Sequence, residues 1–197
     1  MKRATAIFAL LALLCLGVVG CGPSMQEIEA DRAVTAYYRG DFNAAIERLQ
    51  PLSEETNENF VLNNMRLGAA ALAAGDLDTA ERAYFQAYEA LNAAGVNNTA
   101  RTAATVFLNE RFKVWLGEPY ERAMANFHLG LVYYLRGDFA NARGAFENAL
   151  FKLRRYADDD DAADNFREQE STFAVAHYML GRCWLQLGRE DLAASSF

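Results

Sequence analysis

Small and apolar residues alternate with polar ones in four similar stretches of the chain: YYRGDFNAAI, LAAGDLDTAE, YYLRGDFANA and LQLGREDLAA. In each stretch a Gly followed by Asp or Arg separates two segments with helical spacing of apolar residues. The Gly permits the positive φ that ends a helix, and the residue after it can begin the next helix. The pattern predicts helix-turn-helix hairpins, which bury their apolar faces only by stacking on one another. An all-α solenoid is therefore expected.

Within these hairpins, Gly or Ala recurs where two helices must approach closely, and aromatic residues recur where space between helices must be filled. The spacing resembles the tetratricopeptide repeat (TPR) over residues 26–93 and 123–197. The resemblance implies repeats at about 26–59, 61–94, 123–156 and 174–197, the last one incomplete. The third repeat matches the pattern best, with Leu129-Gly130, Tyr133, Gly137-Asp138, Ala142, Phe146 and Ala149.

Two insertions, at about 95–122 and 157–173, interrupt the regular array. The second contains the acidic run Asp158 to Asp161, which lacks the spacing of a calcium-binding loop, so a solvated connector is expected. The first predicts an additional amphipathic helix, which either packs on the solenoid or presents aromatic residues to a partner. The apolar residues of that helix are Ala104, Phe107, Leu108, Phe112, Trp115 and Leu116.

The N-terminus has the composition of an export signal. Lys2 and Arg3 precede an uncharged, largely apolar segment that is short for a membrane-spanning helix. The segment closes on Val-Val-Gly-Cys, which resembles the bacterial lipobox. That resemblance implies a signal peptide at 1–20, lipidation of Cys21 and a tether at 21–25. Gly22 after the Cys favours the outer membrane, facing the periplasm. The alternative is an ordinary secretory signal in which Cys21 is incidental.

Charge narrows the possible partners. Lys2 and Arg3 are the only charged residues of the predicted signal, so the mature chain keeps 17 of the 19 basic residues and all 26 acidic ones, a net charge of −9. Nucleic acid and anionic lipid both require clustered Lys and Arg, so neither is expected as a partner. Besides Cys21, the mature chain has one thiol, Cys183, and no internal disulfide is possible.

No residue pattern points to catalysis. His128 and His177 lie on predicted first helices of repeats three and four, without further ligands at zinc-binding spacing. His177 is expected to pack between helices, and Cys183 is expected to be a buried small residue. We find no phosphate-binding loop, nucleophile elbow or paired acid-base carboxylates. The sequence therefore predicts a protein that is not an enzyme and that needs no metal or cofactor.

The resemblance also implies a binding groove. In TPR proteins, recurring positions on the first helix of each hairpin line the concave surface. Tyr and Arg at such positions commonly anchor protein interfaces. An alternative is that several of these residues pack against the insertion. The groove positions of this chain are Tyr37, Tyr38, Leu62, Met65, Met124, Phe127, Leu131, Tyr134, Tyr178 and Arg182.

Together these features predict a lipid-anchored scaffold of the bacterial envelope that binds another envelope protein or a peptide of neutral or basic character. A purely structural spacer is a further possibility. Because Phe197 falls in the middle of a repeat, a docking arm of a longer lipoprotein is an alternative, with an enzymatic or ligand-binding domain beyond residue 197. Residues 110–146 also resemble a group of bacterial repeat lipoproteins without an established activity. That likeness makes residues 117–122 a candidate interaction segment.

Overall fold

The computed structural model describes residues 24–93, 118–157 and 173–197. These residues form helices joined by short turns and contain no strand. The helices are α1 (Met25–Tyr38), α2 (Phe42–Glu54), α3 (Phe60–Ala74), α4 (Leu77–Ala93), α5 (Pro119–Leu135), α6 (Phe139–Ala157), α7 (Ala174–Gln186) and α8 (Glu190–Ser196). Helix α5 begins at Pro119, before the predicted repeat start at 123.

The four predicted Gly turns have the same geometry. Their glycines have φ between 73° and 80°, a left-handed conformation that favours residues without a Cβ. The residue after each Gly donates its backbone N–H to a carbonyl in the last turn of the preceding helix, at 2.9 to 3.0 Å. In the first three turns that residue is an Asp whose carboxylate accepts the N–H three residues further on, at 3.1 to 3.2 Å. The prediction of four hairpins is confirmed.

In the second, third and fourth hairpins, the two helices pack where a Gly of the first helix contacts an aromatic ring at the second. A Cβ built on Gly68 would lie 2.8 Å from the ring of Tyr84, and one on Gly130 would lie 2.8 Å from the ring of Phe146. Gly181 has the same relation to Phe197. In the first hairpin the corresponding residues are Ala33 and Leu49, both buried in one apolar cluster. A larger residue on the first helix is thus accompanied by a smaller one on the second.

Successive helices pack on one another in chain order, from α1 to α8, which is the arrangement of a solenoid. The second and third hairpins share a buried cluster in which Tyr84 of α4 lies with Leu129 and Val132 of α5. The guanidinium of Arg136 strengthens this junction, because its side chain pairs with Asp78 and lies 3.0 Å from the carboxylate of Glu81. The all-α, TPR-like solenoid is therefore confirmed for the described residues.

Buried asparagines connect the first and second hairpins. The side-chain amide of Asn64 donates to the backbone carbonyls of Ser53 and Phe60, both at 2.9 Å, and Asn63 donates to the carbonyl of Leu52 at 3.2 Å. Carbonyls in the last turn of a helix have no partner within the helix itself. The two amides supply partners at the end of α2 and thereby fix how α3 follows it.

Candidate functional site

The predicted groove residues lie on α1, α3, α5 and α7, the first helices of the four hairpins. Tyr37 and Tyr134 occupy the same repeat position, three residues before the turn Gly. The ring centroid of Tyr37 lies 5.4 Å from that of Phe42, and that of Tyr134 lies 5.3 Å from that of Phe139. In both cases the sharp turn places the first aromatic residue of the second helix beside the tyrosine. The turn geometry therefore holds each ring at the edge of the groove.

The structure brings three predicted residues together where α5 faces α7. Arg182 donates from Nε to the Tyr134 hydroxyl over a long distance of 3.4 Å. This hydrogen bond raises the pKa of Arg182, with a smaller effect of Tyr178, so the guanidinium stays charged. Tyr178 lies one turn before Arg182, keeps 51% of its surface exposed and contacts the ring of Phe197. These side chains present two phenols and a cation on one surface.

The prediction for Phe127 is wrong, because this side chain belongs to the core. Only 8% of its surface is exposed, and its ring centroid lies 5.4 Å from that of Phe146 and 5.4 Å from that of Phe173. Phe173, immediately before α7, covers it. Leu131 and Met65 are half-buried, and Met65 packs against the clusters that join the second and third hairpins. Fewer of the predicted groove residues are thus accessible to a partner than the sequence indicated.

Tyr37 and Tyr38 mark a second site, between α1 and α3. Tyr38 is 82% exposed, whereas Tyr37 is half-buried. Together they border a cavity of about 350 Å³ whose lining includes Arg66 of α3. Sequence reasoning missed Arg66 because it lies off the groove positions of its repeat. One signal could have identified it, since Arg66 is the only charged residue of α3.

His128 has a structural role. Because a carbonyl can only accept, the ring Nδ1 donates to the Met124 carbonyl, at 2.7 Å. The ring stacks on Tyr84 with centroids 5.5 Å apart. Burial lowers the pKa of His128, which the hydrogen bond to Met124 only partly opposes, so the imidazole is neutral near pH 7. His177 is half-buried.

Cys183 is fully buried, and burial raises the pKa of its thiol to about 11. The thiol is therefore protonated and unreactive at neutral pH. Among residues 24–93, 118–157 and 173–197, His, Cys, Asp and Glu side chains form no group of three that could hold a metal ion.

Several predictions concern residues outside the described ranges. These are lipidation of Cys21, the amphipathic helix with Phe107 and Trp115, and the acidic run Asp158 to Asp161. Of the candidate segment 117–122, Tyr120 is 47% exposed at the start of α5. Within the described residues, no helix is both long and apolar enough to cross a membrane.

Comparison with known proteins agrees with this geometry. The family model of the tetratricopeptide repeat matches residues 30–96 and 90–160, which is more than half of the chain. The sequence has no match among curated proteins. TPR units commonly mediate protein–protein interaction, and the stacked hairpins with aromatic first helices fit that use. By its repeats, its turns and this match, the chain belongs to the tetratricopeptide repeat family.

Proposed function

We propose that this protein is a membrane-anchored scaffold of the bacterial cell envelope that binds another envelope protein through its TPR groove. The observation that carries the proposal is the set of accessible side chains on the first helices, above all Tyr38, Tyr178 and Arg182. Tyr and Arg dominate binding energy in protein interfaces, because they bury large areas and keep a polar end. Nucleic acid does not enter the proposal, given the net negative charge of the mature chain.

The groove side chains are held in place before a partner arrives. Tyr134 is fixed by Phe139 and by its hydrogen bond to Arg182, and Arg182 is oriented in turn by the phenol. A side chain that is already ordered loses less conformational entropy on binding than a free one. The site where α5 faces α7 is therefore suited to be the energetic centre of an interface.

Anchoring rests on the sequence of residues 1–21. Support for a short tether comes from α1, which begins at Met25 with Ser24 as its cap, so few residues separate Cys21 from the first hairpin. Mass spectrometry of the membrane-extracted protein should find diacylglyceryl-modified Cys21, and the Cys21→Ala variant should leave the membrane fraction. Continued membrane retention and lipid modification of Cys21→Ala would contradict the anchor.

Partner binding can be tested by cross-linking and capture from detergent-solubilised envelopes. The Tyr38→Ala/Tyr178→Ala variant should lose a specific captured protein, since removing an interface anchor of about 2 kcal/mol lowers affinity roughly 30-fold. The matched control is Phe85→Ala/Phe151→Ala, which removes two aromatic side chains, 41% and 51% exposed, from second helices. Equal capture by both double variants and the wild type would exclude groove binding.

A further inference from the structure

The cavity between α1 and α3 has an unusual lining. Its lining combines small or aliphatic side chains with two tyrosines and an arginine. Leu49 of α2 also lines the cavity but is only 2% exposed. Ala69 of α3 is half-buried, and its small side chain leaves part of the space between α1 and α3 unfilled. The lining residues are Ala33, Val34, Tyr37, Tyr38, Leu49, Arg66 and Ala69.

Arg66 has no counter-ion among the described residues. Its side chain is half-buried, and no carboxylate of residues 24–93, 118–157 or 173–197 forms an ion pair with it. Many other arginines of the molecule are paired. A guanidinium that is partly withdrawn from water and unpaired gains strongly from a carboxylate that can accept two of its N–H groups. The paired arginines are Arg32, Arg48, Arg136, Arg143 and Arg189.

In repeats three and four, the tyrosine equivalent to Tyr37 has a hydrogen-bond partner on the next first helix. There the phenol of Tyr134 accepts a hydrogen bond from Arg182 of the next first helix. Ala69 occupies the position that corresponds to Arg182, so Tyr37 receives no such bond from the described residues. Tyr37 and Arg66 therefore border the same cavity, and none of the described residues hydrogen-bonds the Tyr37 hydroxyl or pairs with the Arg66 guanidinium.

We propose that this cavity binds an acidic side chain of a partner peptide, with an adjacent apolar side chain against Val34 and Ala69. Arg66 is the anion-binding residue, and the phenols of Tyr37 and Tyr38 supply additional donors. The inference rests on the proposed groove function and specifies the chemistry of the partner. It also differs from the neutral or basic peptide that the net charge suggested.

Charges close to the cavity, rather than the net charge of the chain, determine whether an acidic or a basic peptide binds there. The net charge of the mature chain is spread over the whole solenoid, and at physiological salt charges separated by more than about 8 Å are largely screened. Arg66 lies in the wall of the cavity, so a carboxylate inside interacts with it at contact distance. The local cation therefore determines selectivity, and the surrounding negative charge reduces binding of acidic peptides elsewhere.

The test uses the purified full chain in detergent and three pools of fluorescent peptides of about nine residues, with acetylated and amidated ends. The pools share a central Xaa-Leu pair in which Xaa is Glu, Gln or Lys, flanked by random residues. Fluorescence anisotropy should show binding of the Glu pool about tenfold tighter than that of the Gln pool, as expected for a charge-assisted bidentate contact. In the Arg66→Gln variant the two pools should bind within about twofold of each other.

The control is Arg82→Gln on α4, an exposed arginine that donates to the Thr79 hydroxyl at 3.2 Å and lies outside the cavity lining. It should retain the preference for Glu, and circular dichroism should show equal melting of both variants. Equal binding of the Glu and Gln pools by the wild type would overturn the proposal, as would a preference that survives Arg66→Gln. Tighter binding of a Gln pool with a free C-terminal carboxylate would also refute it, because the occupant would then be a chain end.

The two proposals fail in different ways. If the Glu preference depends on Arg66 but the Tyr38→Ala/Tyr178→Ala variant still captures its envelope partner, the acid site stands and the proposed groove function is wrong. If capture depends on the groove tyrosines but the peptide pools bind alike, the scaffold function stands and the acid site is wrong.

Discussion

Replacing Gly130 by Ala places a methyl group where the ring of Phe146 already lies. The new Cβ would be 2.8 Å from Cε1, 2.9 Å from Cδ1 and 3.1 Å from Cζ of that ring, whereas ordinary van der Waals contact begins at 3.4 Å. Phe146 has 0% of its surface exposed and is held by the neighbouring ring of Phe127, 5.4 Å away between centroids. The ring therefore cannot retreat without moving the core.

The expected loss of stability is the balance of two effects. Overpacking a well-filled core costs about 1–3 kcal/mol. Removing a Gly from a helix interior returns roughly 1 kcal/mol. Gly130→Ala should thus lower the free energy of unfolding by about 0–2 kcal/mol. Phe146→Leu alone leaves a partly empty site and should cost about 1–2 kcal/mol, less than the 3–5 kcal/mol typical of Phe→Ala.

Together the two substitutions reproduce the Ala33 and Leu49 pair that already packs in the first hairpin. The smaller residue gives the new methyl its space, so the double variant should be more stable than the sum of the single effects by about 1–3 kcal/mol. Urea unfolding followed by circular dichroism at 222 nm measures the free energy of unfolding of the wild type, the two single variants and the double variant.

Gly181→Ala is the matched control. Its Cβ would lie 2.6 Å from the ring of Phe197, but that side chain is 64% exposed and can turn into solvent. Turning the ring away loses some packing, which offsets the roughly 1 kcal/mol gained by removing a Gly from a helix, so this variant should not lower the free energy of unfolding by more than about 0.5 kcal/mol. The reasoning is refuted if Gly130→Ala is as stable as the wild type and its effect adds to that of Phe146→Leu without coupling.

Three further outcomes are expected. Gly137→Ala should lower the free energy of unfolding by about 1–2 kcal/mol, because a residue with a Cβ is strained at the φ of +78° found there. Gly144→Ala within α6 should instead raise the free energy of unfolding by up to about 1 kcal/mol, because a Cβ there meets open space. Urea unfolding of the two variants should show changes of opposite sign. Because the pKa of His128 is lowered in the folded state, the unfolded chain binds the proton first, so stability should fall as pH drops below about 6.5. The loss between pH 7.5 and 5.5 should be smaller in His128→Phe, and an equal loss would contradict the assignment. The Cys183 thiol should react with a thiol reagent at pH 8 only in urea, and fast reaction of the native protein would show that it is accessible.

Much of the fold could be predicted because its signals are local. Each turn needs a left-handed residue, and a Gly followed by Asp provides both the helix end and the next helix cap, as at Gly137 and Asp138. The pairing of Gly68 with Tyr84 follows from the spacing within one hairpin. Such contacts join residues close in sequence, so the repeat pattern records them directly.

The candidate site was predicted less completely. Tyr134, Tyr178 and Arg182 lie together as the groove positions suggested, since those positions recur with the helix period. Phe127 was misplaced because its exposure depends on Phe173, a residue far along the chain that covers it. Periodicity within one helix carries no information about such a distant neighbour.

The sequence by itself determined the hairpins, their turns and the small residues that let helices meet, because these depend on backbone conformation and on side-chain volume within one repeat. Only the tertiary structure decided which groove positions remain open. Ala69 faces Tyr37 across a gap, whereas the corresponding Arg182 reaches Tyr134, and Arg66 is left without a carboxylate partner among the described residues. The cause is that a cavity and the charge beside it are properties of two facing helices, whose side chains are brought together only when the hairpins stack.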